Sequence, residues 1–217
     1  MKKIISIFGP TGIGKSSIAI ELAKKNNGEI IGVDSRQIYK GVSIGTAQPN
    51  QNQLNEVPHH LIGFKDLNEK ISAGEYLQLI DKKIDQILSE NKSPILCGGT
   101  GLYFKSLVEG IFSGSHTNEV IRKRLEQEYE NDKEKLFKRL IEIDPTYSEK
   151  VHINNKKRLV RALEVFETTG KPMSENFDLI SKASKYTDDY CFVYVQMKNH
   201  LLHPRIQKRI EFMINSG

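Results

Sequence analysis

The chain has 217 residues, 38% hydrophobic and 27% charged, which suits one globular core with at most a smaller appendage. Its formal net charge of +5 and pI near 9.0 favour a polyanionic partner, and its apolar runs fall far short of a bilayer span, so a cytoplasmic protein without membrane segments is expected. Cys97 and Cys191 lie in apolar, strand-like segments outside any C-x-x-C pattern, which points to buried free thiols rather than a disulfide or a metal site.

In chain order, Ile4, Ile5, Ile7 and Phe8 read as a buried parallel strand that the N-terminus enters directly, leaving no room for a signal peptide. Residues 9–16, GPTGIGKS, then fit the phosphate-loop pattern G-x-x-x-x-G-K-[ST]. In such a loop the backbone N–H groups of Gly9, Pro10's neighbours, Thr11, Gly12, Ile13 and Gly14 surround phosphate oxygens. Lys15 adds positive charge, and Ser16 can ligate Mg²⁺. "SSIAIELAKK" continues as a helix over 16–26, so the motif sits between strand and helix as it must. The motif does not say which phosphate-bearing molecule binds.

A second strand at 29–33 leads into the long loop 32–49, GVDSRQIYKGVSIGTAQP. Asp34 stands at a strand's carboxyl end, where doubly wound sheets bind ligands; it can be a Mg²⁺ ligand, a general base or a helix cap. Ser35 and Gln37 are hydrogen-bonding groups suited to a base edge. The adjacent histidines of VPHHLIG (57–63) point to opposite faces of an extended segment, so a metal is not expected there. A helix over 75–90 precedes PILCGGTGLYF (94–104), a strand over 94–98 whose loop brings Gly98, Gly99, Gly101 and the Thr100 hydroxyl to face Asp34. A tight strand-to-helix turn explains these glycines equally well.

Between 115 and 185 the sequence is charged and helix-forming, with a stop at Gly170 before Lys171-Pro172. Lys157, Arg158 and Arg161 fall within five positions of one helix, so at least two share a face, and Arg122 opens an earlier helix. A phosphate-binding face and a merely solvated one are both consistent with this. A strand at 191–197 and a helix from "HLLHPRIQKRIEFMINSG" follow, without the sheet-covering elements expected next. The expected fold is α/β: a P-loop NTPase-like parallel sheet with helices on both faces and a helical insertion. Residues 1–114 and 186–217 form the core domain, C-terminally truncated, and 115–185 the insertion.

Taken together, GPTGIGKS (9–16), DSRQIYKGVSIGTAQP (34–49), VPHHLI (57–62), PILCGGTGLYF (94–104), DPTYSEKVHINNKKRLVRALEVFETTG (144–170) and LHPRIQKRIEFM (202–213) resemble the tRNA dimethylallyltransferases, or tRNA isopentenyltransferases. The resemblance implies transfer of a dimethylallyl group from dimethylallyl diphosphate to N6 of adenosine 37 in tRNA. The phosphate loop would hold the donor's diphosphate with Mg²⁺ on Ser16, and Arg205 would neutralise charge building on it. Asp34 would take the N6 proton and Thr100 would position the amine or the bridging oxygen; Tyr103 and Phe104 can line a slot for the C5 chain, although core packing is the expected role for at least one of them. The stretch Asp34, Ser35, Arg36 and Gln37, together with Thr100, Arg122 and the stretch Lys157, Arg158, Leu159, Val160 and Arg161, would bind the tRNA, with the insertion clamping its anticodon stem-loop.

Some positions depart from the family pattern. Gly12, Ile13 and Ser16 vary a usual GPTAVGKT, Arg36 replaces a frequent Met, Asn155 stands for a common Asp, and Lys157 for a common Gln. The family continues past Gly217. Three other readings compete: a nucleotide or shikimate-type kinase with ATP in the loop, a nucleic-acid-binding module with a regulatory phosphate loop, and an adenylate isopentenyltransferase acting on free AMP or ATP. An Arg-rich lid is missing and the DSRQ and GGTGLY blocks have no use in a kinase, while the basic insertion favours tRNA over a free nucleotide. A monomer is expected.

Overall fold

The structure, a computed structural model, describes residues 3–110, 117–177 and 184–217. It divides into two compact units, the first holding the described residues up to Glu109 and from Ser184 onward, the second those between. The boundary expected at 114/115 lies outside the described residues. At the other end Ser184 and Lys185 belong to the first unit: the Ser184 N–H donates to the Leu107 carbonyl (3.1 Å) and its hydroxyl to Asp81 Oδ1 (2.5 Å).

The first unit begins with β1 (Ile4–Phe8), α1 (Lys15–Lys25) and β2 (Gly28–Gly32), then short α2 (Ser43–Thr46), α3 (Gln51–Glu56) and β3 (His59–His60). It continues with α4 (Ala73–Ser89), β4 (Ser93–Gly98) and α5 (Gly101–Glu109). The second unit supplies α6 (Glu119–Asn131), α7 (Lys133–Ile143), α8 (Pro145–Ser148), α9 (Lys156–Thr169) and α10 (Met173–Phe177), before the first unit closes with β5 (Tyr190–Tyr194) and α11 (Asn199–Asn215). The five strands among the described residues are all parallel, in the order β3-β2-β4-β1-β5. Four of them stand where the sequence predicts strands. The two-residue β3 had no β signal of its own and forms because His59 and His60 pair with Ile30 and Ile31. The predicted final strand ends early, although the Val195 N–H still donates to the Phe8 carbonyl (2.8 Å).

Strand alternation decides which helix covers which face. Ile7, Ile30 and Ile95 project to α1, where they pack with Ala19, Ile20 and Ala23. Phe8 points the other way, its ring 5.5 Å from Phe104 of α5, while α4 buries Tyr76, Ile80, Ile84 and Ile87. The sheet is thus covered on both faces, as all-parallel sheets require. Tyr103 stacks on Tyr76 at 4.6 Å and is 6% exposed, and Phe104 is 4% exposed. Both aromatics serve the core, where at least one of them was expected. The α5 helix turns its aromatic face to the sheet.

In the second unit α6, α7 and α9 pack around Leu125, Leu136, Leu140, Val151, Leu159, Val160 and Leu163. The starts of α6 to α9 are capped by side chains: Asn118, Asp132, Asp144 and Asn155 accept backbone N–H bonds from their first turns. Asn155 therefore does what an Asp would do there. The α9 helix stops at Gly170, left-handed at φ 72°, as its sequence predicts.

Close approach between strand ends sets the geometry next to the site. A Cβ on Gly98 would lie 1.9 Å from the Val33 carbonyl oxygen, so only glycine lets β4 meet the end of β2 there. Gly98→Ala should cost at least about 1–3 kcal/mol of stability. Gly101→Ala, where an added Cβ meets nothing within 4 Å, should be neutral or gain up to about 1 kcal/mol. Urea unfolding of the two variants checks this contrast.

Candidate active site

The first unit carries a cleft of about 460 Å³ at the carboxyl ends of β1, β2 and β4, the edge at which open parallel sheets bind ligands. Thr11 to Ser16 form its floor. Gly14 takes the position before α1 in a left-handed conformation (φ 99°), and no side chain caps the helix. The first N–H groups of α1 are therefore open to an anion. Gly9 is held at φ 151°, and a Cβ there would lie 2.2 Å from the Val195 carbonyl oxygen, so the loop is locked by its own glycine. Lys15 Nζ donates to the Gly9 carbonyl (2.9 Å) and the Pro10 carbonyl (2.7 Å), which spans the loop. Burial holds the Lys15 ammonium below its ordinary pKa, and Arg209 acts in the same direction.

After β2 the chain makes a turn around Asp34. Its Oδ1 accepts from the Arg36 N–H (2.8 Å) and the Gln37 N–H (3.3 Å), and Oδ2 lies toward Gly99. Asp34 thus closes a local turn and caps no helix. The Ser35 N–H donates to Thr100 Oγ1 (3.0 Å), joining the two loops across the cleft. Gln37 donates its amide to the carbonyls of Thr46 (3.1 Å) and Ala47 (2.8 Å), which leaves its Oε1 as the group for a ligand. Gln48 in turn donates to the Gln37 and Tyr39 carbonyls, holding the 34–49 loop shut on itself.

The structure adds residues that the motifs did not single out. Arg209 lines the cleft one helical turn after Arg205, and α11 is docked on the phosphate loop through Leu202 and Ile206, which lie near Gly12. The spacing within PRIQKRI was the available signal. His59 lines the cleft, while His60 faces away and meets Glu29 Oε2 at 2.5 Å; the alternation expected of adjacent histidines holds. His59 Nδ1 donates to the Val57 carbonyl (2.9 Å), and burial keeps its pKa below the ordinary value. Burial pushes the Cys97 thiol up to about 12, so it stays protonated, whereas Cys191 is exposed, against the expectation that both thiols are buried. Ala47, Pro49 and Ile62 give the cleft an apolar wall. Among the described residues no three His, Cys, Asp or Glu side chains cluster as a metal site.

Four cationic side chains, Lys15, Arg36, Arg205 and Arg209, line this cleft against one carboxylate, Asp34. Neither Arg205 nor Arg209 has an ion-pair partner among the described residues. Such surplus charge beside an open helix N-terminus is built for a polyphosphate.

The remaining predicted residues lie in the second unit and differ among themselves. Lys157 and Arg158 are exposed, with no ion-pair partner among the described residues. Arg122 and Arg161 both reach Glu164 Oε2, at 2.7 and 2.9 Å. Leu159 and Val160 are 0% and 3% exposed, so their side chains hold the unit's core and are not offered to a tRNA, a correction to the sequence reading.

A family model described as IPP transferase matches residues 37–217. The chain belongs to the IPP transferase family. It is 42% identical over its whole length to a tRNA dimethylallyltransferase of Acetivibrio thermocellus and 41% identical over 99% of its length to one of Pelagibacter ubique. It spans 70% and 69% of those relatives. Among solved structures, a eukaryotic dimethylallyltransferase acting on tRNA superposes with a TM-score of 0.80 at 30% identity, the whole chain covering 54% of that protein. The full-length tRNA isopentenylpyrophosphate transferase of Bacillus halodurans superposes with a TM-score of 0.63 at 33% identity, 67% of it covered. The fold is the P-loop NTPase-like fold of the IPP transferases. Among the described residues no helix is long and apolar enough to cross a membrane.

Arg205→Ala and Arg209→Ala should each weaken binding of inorganic diphosphate roughly 10- to 100-fold, the effect of one charge-assisted hydrogen bond. Titration calorimetry checks this, and Lys157→Ala serves as a control that leaves diphosphate binding unchanged.

Proposed function

We propose that this chain's cleft transfers the dimethylallyl group of dimethylallyl diphosphate to N6 of adenosine 37 in tRNA, releasing diphosphate. The observation that carries the reading is the pairing, in one cleft, of an anion site with surplus cations and a single carboxylate, Asp34, facing it from the next strand. The named relatives act in the same sense on tRNA.

In this reading the open N–H groups of α1, Lys15, Arg205 and Arg209 hold the diphosphate and neutralise the charge that builds on it as the C–O bond breaks. The Ser16 hydroxyl in the cleft, with the oxygens that a bound diphosphate would bring, fits a hard cation that keeps several waters. Ser16 would hold such a Mg²⁺, which supplies further charge neutralisation when bound. Ala47, Pro49 and Ile62 exclude water from the C5 chain. The target base must leave its stack to enter the cleft. Gln37 Oε1 would accept from its exocyclic amine, and the Thr100 hydroxyl would orient that amine. The N6 lone pair forms the new C–N bond, and Asp34 Oδ2 takes the N6 proton as that bond forms, because an exocyclic amine is too weak an acid to ionise first. Outside the cleft, exposed Lys157 and Arg158 would contact tRNA phosphates, which favours tRNA over free AMP or ATP as acceptor.

Asp34→Asn preserves an oxygen for the Arg36 and Gln37 N–H groups but removes the basic one, so tRNA and donor should still bind while turnover falls roughly 10²- to 10⁴-fold. Single-turnover assays with labelled dimethylallyl diphosphate, at two magnesium concentrations, check this. Near-normal chemistry would end the general-base role, and rescue by magnesium would make Asp34 a metal ligand. The same assay with AMP or ATP in place of tRNA should give no product, and ATP binding tighter than dimethylallyl diphosphate would favour a kinase.

A further inference from the structure

We propose that Ile62 closes the end of the donor's alkyl pocket and so restricts the cleft to a C5 prenyl diphosphate; this rests on the dimethylallyl diphosphate reading above. Gly32, at the end of β2 and two residues before Asp34, pairs with Cys97 of β4, and both line the cleft. Besides its burial, the Cys97 thiol is acted on by the Lys15 ammonium and by the Asp34 carboxylate, so this part of the floor lies near the anion site and the base together. A donor whose diphosphate sits at Lys15 and whose C1 meets the amine beside Asp34 has its alkyl tail over Gly32. Ile62 occupies the space that a side chain at Gly32 would take. A Cβ added there would lie 2.5 Å from Ile62 Cδ1 and 3.4 Å from the His60 carbonyl oxygen. The tail thus runs out against a branched side chain, and Ala19 and Ile30, 0% and 3% exposed, give the rest of the apolar lining.

The backbone around Ile62 is fixed. Its neighbours Leu61 (φ 59°) and Gly63 (φ 54°) are both left-handed, a conformation that a bulky residue such as Leu61 adopts only under strain. Strain of this kind persists where the surroundings over-determine it, as at a ligand clamp. Here the surroundings are backbone bonds to the 34–49 loop. The Gly63 N–H donates to the Gln37 carbonyl (2.8 Å), the Lys65 N–H to the Ile38 carbonyl (2.9 Å), and the Lys40 N–H to the Lys65 carbonyl (2.8 Å). Ile62 is therefore carried by the framework that also holds Asp34 and Gln37. Below it, the Gly32 carbonyl accepts from the hydroxyl of buried Tyr76 (2.6 Å), which anchors the floor. A chain longer by one isoprene unit meets a wall and a floor that are both tied down, and overfilling a packed pocket is unfavourable.

The test compares kcat/KM for transfer to tRNA from dimethylallyl diphosphate and from geranyl diphosphate, with inorganic diphosphate affinity and melting temperature alongside. The wild type should favour the C5 donor by at least about 100-fold. Ile62→Ala should shift that ratio toward the C10 donor by roughly 10- to 100-fold. Gly32→Ala should push Ile62 Cδ1 into the pocket and lower kcat/KM for dimethylallyl diphosphate roughly 10-fold, chiefly through KM, with inorganic diphosphate affinity unchanged. Adding Ile62→Val, which removes Cδ1 itself, should restore most of that loss. Three results overturn the proposal: a wild type that uses both donors equally, an Ile62→Ala variant whose two rates fall together, or a Gly32→Ala loss that Ile62→Val does not relieve. Should Ile62→Ala or Gly32→Ala fail to fold, Ile62→Val alone decides: a shift of roughly 3- to 10-fold toward the C10 donor supports the proposal and an unchanged ratio overturns it. A wild-type chain with no transfer from dimethylallyl diphosphate would remove the donor reading itself, whereas an active wild type with an unshifted Ile62→Ala removes this inference alone.

Discussion

The constraint on which the cleft depends is the N-terminus of α1, which no side chain caps. A helix start normally turns to a side chain for its orphan N–H groups, and the second unit does this at Asn118, Asp132, Asp144 and Asn155. The α1 helix has no such cap, because Gly14 precedes it in a conformation that other residues adopt only under strain. Its first N–H groups are left for a ligand, and the helix dipole adds to their pull. A parallel sheet then brings the ends of β2 and β4 to the same edge, so that a carboxylate and a hydroxyl face the anion site without any long-range design beyond strand order.

The polar groups around this site are largely occupied before a ligand arrives. Asp34 uses one oxygen on its own turn, Thr100 accepts from Ser35, and Gln37 spends its amide protons on the 46–47 backbone. Asp34 Oδ2 and Gln37 Oε1 are left over from these bonds, whereas the Thr100 hydroxyl also donates to Ser35 Oγ (3.5 Å). Pre-set hydrogen bonds of this kind reduce the reorganisation needed at the moment of reaction. The cations behave differently: Arg205 and Arg209 have no carboxylate partner among the described residues, so their charge is undiminished. Geometry is held by neutral groups and charge is left free.

In the second unit the long basic side chains are held in two different ways. Long basic side chains on an exposed helix are conformationally costly to immobilise. Lys157 and Arg158 are left as they are, while Arg122 and Arg161 are anchored to a carboxylate that has itself been removed from water. Leu159 and Val160, between these cations in sequence, hold α9 to the core, so the alternation of buried and exposed positions along one helix turn is what presents the basic face.

Local pattern was enough for a large part of this. The Gly-Lys-Ser spacing, the apolar runs of β1, β2 and β4, the helix stop at Gly170 and the strand-end position of Asp34 are all properties of near neighbours in sequence, where backbone geometry is dictated by local residues. Ordered blocks along the whole chain also carried the family. What local pattern could not supply is contact between distant residues. The Ser35–Thr100 bond spans 65 positions, and α11 reaches the phosphate loop from the other end of the chain, so Arg209 and His59 joined the site only when the sheet was assembled. Tyr103 and Phe104, plausible as a slot from their place after a glycine turn, were claimed by the core because α5 packs its aromatic face on Phe8 and Tyr76. Burial is a property of the assembled layers, and only those layers decided which side chains face the ligand and which hold the protein together.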